Sequence, residues 1–202
     1  MTNVPTQLGR RGPYAKSAER RRAIIDAAYS VFGSRGYQGG SLQEVANLVG
    51  MSQTSLLHYF PTKSHLLVAV LNRRDSVSRD GSPPPAEETM AESVLRQAAF
   101  NETHPGLIEL YTILSAETLT NNHPGREYFA DRFAGLRIDY AASFAELESR
   151  GMLRPGVDPS VAATALVALW DGLQLQWLHS PGEVDVVAVL GSYLDLVILP
   201  GE

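Results

Sequence analysis

The chain has 202 residues, which suffices for one mid-sized domain or for a small domain joined to a larger one. Its hydrophobic fraction of 44% is typical of a packed globular protein and excludes wholesale disorder. Cysteine is absent, which excludes disulfide bonds, thiolate nucleophiles and zinc–cysteine sites. We expect no metal and no cofactor. Because the apolar stretch 161–170 is far shorter than the about 20 residues that cross a bilayer, and no signal-peptide pattern is visible, we expect a soluble cytoplasmic protein.

The overall charge of −5 hides a division into a basic front and an acidic body. Residues 1–74 contain ten Lys/Arg and three acidic residues, a net charge of +7, whereas residues 75–202 carry −12. This distribution is typical of a module that binds polyanions, although a solvated basic tail is an alternative. We predict that residues 1–16, with Arg10 and Arg11, form a flexible basic arm that contacts DNA.

Helical spacing of apolar residues runs along the whole chain, and no strand-like alternation is sustained. We therefore predict an all-α protein with about nine helices. A capping box from Ser41 to Glu44 marks the second helix, and the same spacing from Ser180 to Glu183 suggests the start of the ninth. The predicted helices cover about residues 17–35, 41–50, 53–59, 63–79, 87–103, 105–121, 124–150, 159–179 and 182–199.

The second and third helices are joined by Gly50-Met51-Ser52. A short glycine-containing turn between two short helices is typical of a helix-turn-helix. The residues that remain outside the small apolar core on the third helix all have hydrogen-bonding side chains that can reach base edges or phosphates. They are Gln53, Thr54, Ser55, His58 and Tyr59.

Three consecutive arginines, Arg20 to Arg22, fall in the predicted first turn of the first helix. Cations at that place oppose the helix dipole, at a cost of roughly 0.3–1 kcal/mol each when exposed. Phosphate contact would explain them; the alternative is that exposed arginines simply tolerate a small penalty.

The segment 36–63 resembles the DNA-binding signature of TetR-family regulators. The Gly-hydrophobic-Ser turn followed by Leu-x-His-Tyr-Phe-Pro-x-Lys carries the resemblance, which extends over residues 17–72. Residues 155–177 are similar to the C-terminal domain of the betaine-pathway repressor subgroup. The chain departs from many relatives at Leu57, where they have tyrosine.

The resemblance implies a three-helix helix-turn-helix head over residues 17–63 and a helical effector-binding and dimerisation domain over residues 64–202. It implies DNA contacts from Ser41 and Gln43, from the third helix in the major groove, and from Lys63 on phosphate. It also implies a homodimeric repressor on a palindromic operator, released by an unknown small-molecule effector. The middle helices would hold the effector pocket, for which ordinary core packing of the aromatics is the alternative. The candidate pocket residues are Tyr111, Glu117, Tyr128, Phe129, Phe133, Trp170 and Gln174.

The last two helices are apolar on more than one side, so one face can pack on its own domain while another needs a partner. We predict that they form a four-helix bundle between two chains. The predicted interface residues are Leu166, Leu169, Trp170, Leu173, Trp177, Val184, Val187, Gly191, Leu194 and Ile198. An all-helical enzyme or carrier and a pure protein-interaction module remain as rival hypotheses. No nucleophile–base pair is apparent, so an enzyme is not predicted.

Overall fold

The computed structural model describes residues 13–80, 88–120 and 122–200, and nine helices lie within these ranges. The all-α prediction is confirmed, and the extended pairing within the described ranges is limited to one antiparallel bridge between Leu153 and Ile198. The helices are α1 (Pro13–Gly39), α2 (Leu42–Leu48), α3 (Gln53–Tyr59), α4 (Lys63–Asp80), α5 (Met90–Glu102), α6 (Pro105–Glu117), α7 (Arg126–Ser149), α8 (Pro159–His179) and α9 (Val186–Val197).

The first helix begins at Pro13, four residues before the predicted start. Residues 13–16, which we assigned to the flexible arm, are therefore helical, while Arg10 and Arg11 lie outside the described residues. The predicted stop at Gly36 is a real break, because this residue has φ 67° and ψ 175° inside the helical span. The early start also places Arg20 to Arg22 beyond the first turn, where the helix dipole imposes little penalty.

Two apolar clusters organise the described part of the chain. The head cluster joins α1 to α4 and also takes in α6, through Leu110, Tyr111 and Leu114, and α7, through Phe129. The body cluster joins α5, the second half of α7, α8 and α9. Because α4 and α6 bury their side chains in the head cluster, the predicted domain boundary near residue 64 is not a boundary in packing.

The start of α9 differs from the prediction. Its N-cap is Asp185, whose carboxylate accepts the amide hydrogen of Ala188 at 2.8 Å. Ser180 is the C-cap of α8, so the Ser180–Glu183 spacing does not open a helix. Val184 precedes α9, and Ile198 follows it in the extended bridge.

The ten residues predicted for the dimer interface pack within their own chain. Leu166, Trp170, Leu173 and Leu194 are buried members of the body cluster. Five more pack against the same cluster while partly exposed, namely Leu169, Trp177, Val184, Val187 and Ile198. A Cβ at Gly191 would lie 3.7 Å from the Leu95 side chain, so this glycine packs against α5. The four buried residues therefore fill the chain's own core, whereas for the partly exposed residues the dimer interface stays a prediction.

The opposite sides of α8 and α9 carry exposed apolar side chains. Val161 and Leu175 on α8 are 65% and 46% exposed, and Val189 and Leu196 on α9 are 39% and 71% exposed. They follow helical spacing together with small residues, which gives one apolar stripe on each helix. We call this surface the outer face, and it consists of Val161, Thr164, Ala168, Leu175, Ala188, Val189, Ser192 and Leu196.

Gly40 provides a test of packing in the head. A Cβ there would lie 2.8 Å from Val31 Cγ1 and 2.9 Å from Phe32 Cδ1, and both side chains are buried. Gly40→Ala should therefore lower the free energy of unfolding by about 1–3 kcal/mol in urea denaturation.

Gly135 in α7 is the matched control, since nothing lies within 4 Å of its added Cβ. Gly135→Ala should raise stability by up to about 1 kcal/mol, because alanine has the higher helix propensity. A Gly40→Ala protein as stable as the wild type would contradict this account of the head.

Candidate nucleic-acid interface

Helices α2 and α3 form a helix-turn-helix whose local bonds follow from the sequence. Ser41 and Glu44 form the predicted capping box, with Ser41 N donating to Glu44 Oε2 at 3.0 Å and Glu44 N to Ser41 Oγ at 3.2 Å. These hydrogen bonds lower the pKa of the Glu44 carboxyl group. Gly50, with φ 65°, ends α2 in a Schellman turn, and Ser52 caps α3 by accepting the amide hydrogen of Ser55.

The outward side of this motif carries the residues predicted to contact DNA. Leu56 and Phe60 are buried beneath α3, which turns the polar side chains of that helix outward. All of the predicted α2 and α3 residues are exposed, apart from the half-buried Tyr59. We call them the recognition surface, which consists of Ser41, Gln43, Gln53, Thr54, Ser55, His58 and Tyr59.

Two arginines of α1 attach this helix to the motif. Arg20 Nη1 donates to the carbonyl oxygen of Val49 at 3.3 Å, at the C-terminal end of α2 where the helix dipole favours a cation. The Arg21 guanidinium lies 4.7 Å from the centroid of the Phe60 ring, within cation–π range. Lys16 and Arg20 also border an open groove beside Tyr59. The arginines thus hold the motif in place and extend a basic surface away from α3.

Lys63, predicted to bind phosphate, lies half-buried at the start of α4. Its Nζ donates to the carbonyl oxygen of Gln38 at 3.4 Å and lies 4.5 Å from the centroid of the Tyr37 ring. Burial lowers the pKa of Lys63, while the carboxylates of Glu117 and Glu44 oppose that shift. One of its three N–H groups is thus engaged with the chain that leads into α2.

Glu117 is assigned to the effector pocket from the sequence. It is the last residue of α6, and its Oε2 accepts the amide hydrogen of Tyr37 at 2.6 Å. This side chain thus contacts the chain that leads into α2, and its assignment to the effector pocket stays a prediction. No spacing in the sequence relates residues 80 positions apart.

His123 completes this junction and was not predicted. It is 5% exposed, and its Nδ1 accepts the amide hydrogen of Gly125 at 3.1 Å. Its ring centroid lies 4.9 Å from that of Tyr37. Burial lowers the pKa of His123, with the Glu117 carboxylate opposing the shift.

Four predicted pocket residues do come together. Ring centroids lie 5.3 Å apart for Tyr111 and Phe129, 5.1 Å for Tyr128 and Phe129, and 6.3 Å for Phe129 and Phe133. The guanidinium of Arg132 lies 5.4 Å from the centroid of the Tyr111 ring.

The other two predicted pocket residues, Trp170 and Gln174, lie one turn apart on α8. Trp170 is a member of the body cluster, and both residues are buried.

Neither a metal-binding cluster nor a membrane-spanning helix occurs in the described ranges. Within residues 13–80, 88–120 and 122–200, no three His, Asp or Glu side chains lie together in a way that could hold a metal ion. None of the helices described there combines the length and apolar composition that a membrane crossing needs.

A capped helix-turn-helix with an exposed polar α3, mounted on a larger helical body, defines the class of helix-turn-helix DNA-binding regulators. Residues 24–70 match the family model described as bacterial regulatory proteins of the tetR family. Residues 88–199, more than half of the chain, match the C-terminal domain of BetI-type transcriptional repressors. The chain belongs to the TetR family of regulators and has a BetI-type C-terminal domain.

Several curated proteins are similar to the chain. The A-factor receptor protein of Streptomyces griseus is 28% identical over 178 residues, which are 85% of this chain and 60% of that protein. RutR of Escherichia coli (strain K12) is 43% identical over 54 residues, 27% of this chain and 26% of RutR. The repressor BepR of Brucella suis is 26% identical over 194 residues, 86% of this chain and 87% of BepR. The matches to the first two span less than two thirds of either relative.

Solved structures share the fold. A TetR-family regulator from Rhodococcus sp. has a TM-score of 0.73 and 24% identity, with 90% of this chain and 99% of that chain covered. A regulator from Saccharomonospora viridis in complex with choline has a TM-score of 0.74 and 20% identity, with 91% and 100% covered. SmeT of Stenotrophomonas maltophilia, described as the repressor of a multidrug efflux pump, has a TM-score of 0.72 and 19% identity, with 90% and 91% covered.

Proposed function

We propose that the protein is a dimeric, sequence-specific DNA-binding repressor whose affinity for its operator is lowered by a small-molecule effector. The observation that carries the proposal is the recognition surface, which presents exposed hydrogen-bonding side chains from a capped helix-turn-helix beside basic α1. BepR is named a repressor, which supports the same direction of regulation. Its partner is double-stranded DNA in the cytoplasm, and its action is binding without catalysis.

The charge distribution favours contact with DNA through the helix-turn-helix. The front, residues 1–74, carries +7 and includes the whole helix-turn-helix, whereas the rest of the chain carries −12. Phosphates attract the front and repel the acidic body, so encounter with a duplex favours contact through α3. Salt screens this attraction and replaces the counterions that binding releases.

The outer face supports a dimer. Leu196 and Val161 are more than 60% exposed in the single chain, and the small residues between such side chains allow close helix approach. Packing α8 and α9 of two chains against each other would cover this apolar area in a four-helix bundle around a two-fold axis. Two copies of α3 would then reach successive major grooves about 34–36 Å apart and require a palindromic operator.

The effector site we propose lies among α6, α7 and α8, between the aromatic group of Tyr111, Tyr128, Phe129 and Phe133 and the buried amide of Gln174. Gln174 is 4% exposed, so its side-chain amide is a buried polar group on α8. A buried amide can both donate and accept, so a hydrogen bond to a polar group of an effector would contribute about 0.5–1.5 kcal/mol to binding. We therefore propose a compact effector with an apolar body and one hydrogen-bonding group. The effector lowers operator affinity because it binds more tightly to a conformation of the dimer in which the two heads have a different spacing.

DNA recognition is tested by selecting bound sequences from random duplexes and by measuring affinity for the recovered operator. We expect a palindrome, with affinity that falls steeply as salt rises. Thr54→Val removes one exposed hydroxyl from the recognition surface, and it should reduce discrimination between operator variants by about 1–3 kcal/mol if that hydroxyl contacts a base.

Thr103→Val is the matched control, because its hydroxyl lies at the end of α5 and bonds only local groups. These are the carbonyl oxygen of Phe100 at 2.7 Å and Nδ1 of His104 at 2.8 Å. The variant should leave discrimination unchanged. Recovery of no preferred sequence, or an affinity that does not respond to salt, would contradict the proposed function.

The dimer is tested at the outer face. Leu175→Glu and Val189→Glu place charges on exposed positions, so the chain should fold and keep its helical circular-dichroism signal. Both variants should sediment as monomers at micromolar concentration and lose operator binding, since each head then holds only half a site.

Ile138→Glu on α7 is the matched control, because Ile138 is also an apolar side chain, 67% exposed, but lies off the outer face. It should remain dimeric. A wild-type monomer, or a Leu175→Glu dimer that binds operator normally, would rule out this interface.

The effector site is tested by screening small molecules for those that raise the melting temperature and release the operator. Gln174→Leu should weaken binding of such a compound about tenfold, through loss of the hydrogen bond. Gln176→Leu is the control, because Gln176 is exposed on the same helix. Equal binding by wild type and Gln174→Leu would exclude Gln174 from the site.

A further inference from the structure

The chain enters the helix-turn-helix at Gly36–Gly40 and leaves it at Pro61–Lys63, and Tyr37 contacts both the Glu117 carboxylate and the exit. At the entry, Tyr37 N donates to Glu117 Oε2 at 2.6 Å. At the exit, Lys63 Nζ lies 4.5 Å from the Tyr37 ring centroid. A hydrogen bond of 3.2 Å between Tyr37 Oη and Ser64 Oγ also joins entry and exit.

The backbone at the entry leaves room for this carboxylate. A Cβ on Gly36 would lie 2.5 Å from Glu117 Oε1 and 3.1 Å from its Cδ. Gly36 also has φ 67°, which L side chains rarely adopt. Glycine at this position therefore satisfies two separate requirements: the turn of the chain out of α1 and the close approach of Glu117.

The other side of Tyr37 is closed by the loop between α6 and α7. The buried His123 ring packs on the Tyr37 ring, and the Tyr37 side chain is 8% exposed. Glu117 ends α6, whose Leu110 and Leu114 are buried in the head cluster. The end of α6 and the start of the following loop thus enclose the corner that leads into the recognition motif.

We propose that Glu117 is a positioning residue for DNA binding, because its carboxylate joins the entry of the helix-turn-helix to the end of α6 and, through Tyr37, also holds the exit, which fixes the orientation of α3 relative to the body. This inference rests on the proposed DNA-binding function. Specific binding needs both heads of a dimer in register with the operator, whereas binding to random duplexes needs only the basic surface. Loss of the hydrogen bond between Glu117 and Tyr37 should therefore reduce discrimination between operator and random duplex more than it reduces general affinity for DNA.

The test compares Glu117→Ala with Glu117→Gln, which both remove the charge but differ in hydrogen bonding. The ratio of affinity for the selected operator to affinity for random duplex is measured for each. Glu117→Ala should lower this ratio about tenfold. Glu117→Gln should restore most of it, because its amide oxygen can still accept the Tyr37 amide hydrogen. Glu109→Ala, exposed on the same helix, is the control and should keep the wild-type ratio.

Hydrogen exchange of the Tyr37 amide in the protein alone provides a second readout. Exchange should be slow in the wild type and in Glu117→Gln, and faster in Glu117→Ala, with the remaining α1 amides unchanged. Gly36→Ala disturbs the same contact, because its Cβ would clash with the Glu117 carboxylate. This variant replaces Glu117→Ala in the test if Glu117→Ala folds poorly. The Gly36→Ala/Glu117→Ala double variant should lose less discrimination than the two single losses combined, since the shorter side chain at position 117 removes the clash.

Three results would overturn the inference while leaving DNA binding intact: a Glu117→Ala protein with the wild-type ratio, equal losses in Glu117→Ala and Glu117→Gln, or unchanged exchange at Tyr37. A wild-type protein that does not distinguish its selected operator from random duplex would instead overturn the proposed function, and this inference with it.

Discussion

The packing of α1 along α6 is the constraint on which the rest of the arrangement depends. The two helices approach so closely that a Cβ on Gly33 would lie 3.7 Å from Leu110 Cβ. Ile24 and Phe32 from α1 and Leu114 from α6 are fully buried in one cluster. Burial of such side chains contributes about 1.5–3 kcal/mol each, far more than any exposed ion pair of the head. The helix-turn-helix is thereby placed relative to the body, and Glu117 reaches Tyr37 because α6 already lies there.

Local signals allowed much of the head to be predicted from the sequence. The capping box at Ser41, the Gly50 turn and the break at Gly36 each depend on residues within a few positions of one another. The same holds for the exposed side of α3, since helical spacing fixes which side Leu56 buries. The start of α1 was missed because Pro13 suits the first turn of a helix as well as it suits a loop. That error produced the incorrect dipole argument for the arginines.

Long-range contacts could not be predicted in the same way. Apolar spacing shows that α9 has two apolar sides, but it does not say which side packs against α5 and which side stays exposed. The large side chains were assigned to the interface, whereas Leu194 fills the chain's own core and the exposed stripe combines Val189 with small residues. Glu117 and His123 meet Tyr37 only through tertiary folding, so their sequence neighbours carry no sign of the contact.

The shared core of the head and α6 has a consequence for chimeric regulators. A fusion joined near residue 64 would separate α1 from Leu110 and Leu114, so a foreign body would have to supply matching side chains on its own sixth helix. The unit that can be exchanged without repacking is therefore larger than the helix-turn-helix and discontinuous in sequence, since it includes α1 to α4 together with α6 and the start of α7 around Phe129. Recognition specificity is better transferred by substituting only the exposed side chains of α3, because this leaves every buried contact in place.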